Sequence, residues 1–146
     1  MSVETSKSML KVFGIVDIIF GVLLLIFSAM ALAGGGLMAS GVVPADQAEA
    51  GVSSTLVLVA GGAMLVLGGF SLASGIASRR AAKDPSKAQP AFVFAIIGLV
   101  SAALNLILAL TGGGSPISAI VSVAINGLLV MAANTLRKEG TETMAD

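Results

Sequence analysis

Asp17 is the only carboxylate in VFGIVDIIFGVLLLIF, the stretch from Val12 to Phe27. An acid in such surroundings either binds a proton or a cation and couples it to transport, or stays hydrogen-bonded or protonated as part of helix packing. It follows Gly14 by three residues and precedes Gly21 by four, which on a helix places it on a small-residue face that points into a bundle. Its depth, about seven residues or roughly 10 Å from the start of the apolar run, matches Ser71 on an antiparallel second helix. Ser71 follows Gly68 by three and is the first-choice partner, with Ser74 next. Arg79 or Arg80 could also bend back along the helix toward the acid. Two amides also lie within apolar sequence, Asn105 and Asn126. We expect both to hydrogen-bond across the bundle, the alternative of equal weight being a backbone carbonyl of their own helix, since a cross-helix bond in a membrane is worth only ~0.6 to 2 kcal/mol.

Other chemistries are removed by composition. Histidine, cysteine, tryptophan and tyrosine are all absent. That excludes a thiolate nucleophile, a disulfide, a Cys/His zinc site, a histidine-ligated haem and a Ser-His-Asp triad. The carboxylates are scattered, so no paired acid and base suggests itself. We expect neither an enzyme nor a cofactor or metal. Net charge is zero and no basic block is interleaved with aromatics, so nucleic acid is not an expected partner.

The elements that must position these groups are membrane spans. Hydrophobic residues make up 56% of the 146 and charged ones 11%, with a mean hydropathy of +1.03. This is the composition of an integral membrane protein, read here as one membrane domain over residues 1–146. A hydrocarbon core of roughly 30 Å needs about twenty apolar residues, and the runs Leu10–Ala33, Ser54–Ala77, Ala91–Leu110 and Pro116–Leu136 qualify. Between them lie the expected breakers: Gly34-Gly35-Gly36 and Pro44, then Asp84-Pro85 and Pro90, then Gly112-Gly113-Gly114 before Pro116. Lys7, Lys11, Arg79, Arg80, Lys83, Lys87, Arg137 and Lys138 account for all eight cations, and all fall on one side of such a topology. The expectation is an all-α, up-down-up-down four-helix bundle in a cell membrane, with both termini and the middle loop in the cytoplasm. Alanine and glycine richness suggests a bacterial inner membrane. Ala31-Leu32-Ala33 also fits a signal-peptide cleavage site, but the length of the run and Asp17 favour a retained first span. VFGIVDIIFGVLLLI at Val12 and VFAIIGLVSAALNLI at Val93 match at several places; they are either a parallel duplicated hairpin or a product of low complexity.

Small residues recur every seven positions: Gly14, Gly21, Ser28 and Gly35; then Gly61, Gly68 and Gly75; then Ala91, Gly98, Asn105 and Gly112; then Ala119, Asn126 and Ala133. Close backbone approach at such residues supplies the packing contact that lipid does not oppose. The seven-residue period implies a left-handed bundle of shallow crossing angle, with the first two spans a tight hairpin. Asn134, near Arg137, is read as interfacial, and the Phe13, Phe20 and Phe27 stripe as packing or lipid contact. Gly62 and Gly69 offer a second close-contact face for a homo-oligomer or a membrane-protein partner.

Three functional classes follow. First stands an accessory or scaffold protein, in the manner of four-span proteins with one longer outer loop; that loop contains PADQAEAG and has no aromatic anchor. Second is a small-molecule transporter coupled to protons or cations through Asp17. The chain resembles small multidrug-resistance transporters in span count and in the acid of its first span, and in no motif. Those proteins place tryptophan and tyrosine around the acid, and several work as antiparallel dimers with balanced charge, whereas the cation bias here fixes one orientation. Third is an oligomeric channel, although nothing resembles a selectivity filter.

Overall fold

Hydrocarbon cannot satisfy backbone N–H and C=O groups, so a chain this apolar must close its hydrogen bonds within each segment. The computed structural model describes residues 1–41, 53–112 and 116–143. Among these there is no strand, and four helices are long and apolar enough to cross a membrane. They are α1 (Val3–Ala39), α2 (Ser54–Lys83), α3 (Ala88–Gly112) and α4 (Pro116–Glu142), with a 3-10 turn at Pro85–Lys87. The PADQAEAG segment, with Asp46, Gln47 and Glu49, and the glycines 113 and 114 lie outside the described residues.

Three of the starts have a local cause. Ser2 Oγ accepts the Thr5 N–H at 3.2 Å and Ser53 Oγ accepts the Leu56 N–H at 3.2 Å, so hydroxyls cap the free donors of α1 and α2. Asp84 caps the 3-10 turn: its Oδ1 accepts the Ser86 N–H at 3.1 Å and the Ser86 hydroxyl at 2.6 Å, while Lys87 Nζ lies 3.1 Å from Oδ2. The Ser86 hydroxyl, and then Lys87, hold the Asp84 carboxyl below its ordinary value.

Two expected breaks do not occur. The glycines 34–36 are helical, and α1 runs on to Ala39. Gly35 is buried, and a Cβ there would stand 3.0 Å from Leu58 Cγ, so the glycine serves packing and not a turn. The helix gives way instead at Gly41, whose φ of +74° lies in the left-handed region that glycine adopts freely. Pro90 sits in the first turn of α3, where its missing N–H would have no helical partner anyway. The helices also outrun the apolar spans. At 37 residues and about 1.5 Å per residue, α1 is roughly 55 Å long, well beyond a hydrocarbon core.

The described chain divides into two compact units. One comprises residues 1–16 and 74–146, the other residues 17–73. In the first, the start of α1, the end of α2, α3 and α4 enclose a core of small side chains: Ala77, Ala81, Ala88, Ala91, Ala132 and Ala133, closed by Leu10 and Leu136. Alanine lets helix backbones approach closely where a leucine core would hold them apart. The 4.2 Å stack of the Arg137 guanidinium on the Phe92 ring adds a cation–π contact to this unit, and Arg137 also donates to Asn134 Oδ1 at 3.0 Å. In the second unit, α1 and α2 pair along glycines.

The rest of the apolar surface faces outward. Between 6% and 17% of the most apolar 18-residue window of each helix is buried, and Val66 and Ile117 are 68% and 72% exposed. Water would penalise so much exposed aliphatic surface, whereas lipid tails would not.

Candidate functional site

In the second unit the polar groups of α1 and α2 meet at a seam with almost no space between backbones. Gly21 is buried, and a Cβ there would stand 2.7 Å from Leu72 N and 2.9 Å from Gly68 O. Gly68 reciprocates, with Gly21 O 3.1 Å from where its own Cβ would lie. Seven residues on, Ser28 is fully buried and its hydroxyl donates to the Gly61 carbonyl at 2.8 Å. A Cβ on Gly61 would in turn lie 3.0 Å from Leu32 Cγ. As numbers rise along α1 they fall along α2, the order of an antiparallel pair.

Asp17 and Ser71 are brought together here, through the backbone. The Ser71 hydroxyl donates to the Asp17 carbonyl oxygen at 3.0 Å. Asp17 is half-buried and is not without further partners. A hydroxyl that donates to a carbonyl on the facing helix gives the backbone oxygen a second hydrogen bond, and Ser28 and Ser71 both do this. The seam therefore spends its hydroxyl donors on holding two helices together.

The remaining candidates lie in the first unit. A Cβ on Gly14 would stand 2.8 Å from Gly75 O and 2.9 Å from Arg79 Cγ, so Gly14 serves close approach and the Arg79 stem lies across α1. Asn126 Oδ1 packs on Gly98, 2.5 Å from where a Cβ would be, while its amide donates to Ser122 O at 2.8 Å. Asn105 is exposed and donates to Ser101 O at 3.1 Å. The expected bonds across the bundle are not what these amides make: both donate locally, to a carbonyl four residues back. Geometry favours the local bond: that carbonyl is always within reach on a helix and needs no partner helix. No group of three or more acidic residues that could hold a metal ion occurs among the described residues.

The cations form a feature that, along the sequence, serves only to orient the chain. Lys7, Lys11, Arg79 and Lys83 line a common cavity in the first unit. Its signal is present in the sequence as two i,i+4 pairs, Lys7 with Lys11 and Arg79 with Lys83, each on one helix face.

The chain matches no protein-family model, no curated protein and no solved structure.

Proposed function

We propose that the chain is an accessory or scaffold protein of the cell membrane, with four spans in an up-down-up-down, left-handed bundle and both termini in the cytoplasm. The observation that carries this reading is how the α1–α2 seam uses its polar groups. The Ser28 and Ser71 hydroxyls donate to backbone carbonyls of the facing helix, and Gly21 and Gly68 leave no room between the two helices for a solute. A transport path would need polar groups turned toward water or cargo. Lipid is the first partner; a second membrane protein or another copy of the chain is the next. The eight cations support this sidedness, since all of them fall in one of the two units, none of them in residues 17–73.

Asp17 supports a second reading, a proton- or cation-coupled transporter, because an intramembrane acid is expensive to keep. Reconstitution separates the two. Proteoliposomes of the wild type should show no proton or cation flux above protein-free vesicles, while a tagged copy in native membranes should retain a partner through purification. Flux that disappears in Asp17→Asn would replace the scaffold with the transporter. A reporter fused after Glu139 should be active only in the cytoplasm; activity outside the cell would overturn the topology.

A further inference from the structure

Lys7 and Lys11 on α1 and Arg79 and Lys83 on α2 line one cavity of about 220 Å³, with Ser8 and Ala82 completing the wall. A water molecule takes about 30 Å³ of liquid, so the space is ample for a phosphate group and several waters. Gly14 brings the two cation pairs together, because without a Cβ it lets the Arg79 stem lie against α1. Four like charges around one opening repel one another unless an anion joins them. Of the acids near them in sequence, Glu4 is exposed and is not part of the wall, and Asp84 is engaged elsewhere, by Lys87 at 3.1 Å and by the Ser86 hydroxyl at 2.6 Å.

A second observation indicates what kind of anion. Ile15 lies four residues after Lys11, and Ile76 three before Arg79, so each occupies the same helix face one turn deeper. Both are 38% exposed. Cationic cavity followed by exposed aliphatic surface is the order of a phospholipid, phosphate first and acyl chain next. Basic pockets between helix ends are suited to anionic headgroups.

We propose that this cavity binds the phosphate of an anionic phospholipid headgroup, with Lys7, Lys11, Arg79 and Lys83 as its charge partners and Ser8 as a neutral donor. The assignment rests on the membrane reading above. Free phosphate shares the chemistry but has no use for Ile15 and Ile76.

The test uses the purified full-length chain in neutral detergent, titrated with phosphatidylglycerol, phosphatidylcholine or inorganic phosphate, with bound ligand counted by native mass spectrometry. Saturable binding of phosphatidylglycerol over phosphatidylcholine is expected. At about 1 kcal/mol per cation, or roughly fivefold, Lys11→Gln weakens it about fivefold and Lys11→Gln/Arg79→Gln/Lys83→Gln on the order of a hundredfold. The charge-preserving Lys11→Arg/Arg79→Lys/Lys83→Arg should retain most of the binding, as should Arg80→Gln/Lys138→Gln, which neutralises cations outside the wall. Helical content and thermal midpoint in phosphatidylcholine nanodiscs establish that each variant is folded; the exposed Lys11→Gln remains informative if the triple variant is not. Inorganic phosphate that binds as tightly as the lipid, with the same sensitivity, would keep the phosphate site and overturn its assignment to lipid. Absence of preference, or equal loss in the Arg80/Lys138 control, would overturn the site. Flotation with phosphatidylcholine vesicles after an alkaline wash tests the membrane reading separately: a chain that floats but ignores headgroup charge refutes the cavity alone, and one that does not float refutes the membrane reading.

Discussion

Gly21→Val should lower the thermal midpoint of the detergent-purified protein by roughly 10 °C, corresponding to about 3 kcal/mol. The expectation rests on what the new side chain meets. Its Cβ alone would stand 2.7 Å from Leu72 N, 2.9 Å from Gly68 O and 3.1 Å from Leu72 Cα. These are backbone atoms, so no rotamer change relieves the overlap and the helices must part. Parting them also stretches the Ser71 bond to Asp17 and the Ser28 bond to Gly61, now 3.0 and 2.8 Å long. Gly62→Val is the control, because nothing lies within 4 Å of a Cβ there; it should fall within about 0.5 kcal/mol of wild type. A Gly21→Val protein as stable as the Gly62→Val protein would mean that the seam is not closed as described.

Gly140→Ala should likewise destabilise, against the usual sign of that exchange. Alanine in a helix interior normally gains about 1 kcal/mol over glycine. At position 140 the added methyl would run into the Pro85 carbonyl group and stand 2.8 Å from Ser86 N, the backbone of the turn that joins α2 to α3. We expect a net loss of about 1 to 3 kcal/mol, seen as a lower thermal midpoint. Gly127→Ala, on the same helix with nothing within 4 Å, should be neutral or gain up to about 1 kcal/mol. Equal stabilisation of both would show that α4 does not rest on the 3-10 turn.

The four helices were legible because twenty-residue apolar runs leave few alternatives in either lipid or water. Their ends were less so. Glycine reads as a breaker from experience with water-exposed chain, where a frayed backbone can be solvated; at residues 34–36 the backbone stays in the helix and Gly35 packs on Val57 and Leu58. Pro90 misleads for a related reason, since proline breaks a helix only beyond its first turn. Depth and face together pair Asp17 with Ser71, through the rise per residue, antiparallel order and the offset of Ser71 from Gly68. Depth cannot choose between carboxylate and carbonyl as acceptor, because both belong to one residue at one level. The cation cavity was hidden for another reason: charges spaced along a chain show their side of the membrane, while the cavity depends on Gly14 admitting the Arg79 stem.

The role of Asp17 decides between a scaffold and a transporter, and the stability of Asp17→Leu tests it before any substrate or partner is known. Groups kept for function against folding tend to stabilise a protein when removed, whereas a packing acid leaves its partners unsatisfied when lost. In the same detergent, Asp17→Leu should have a clearly lower thermal midpoint than wild type. A higher midpoint would contradict the scaffold account and make Asp17 a site retained at the expense of the fold.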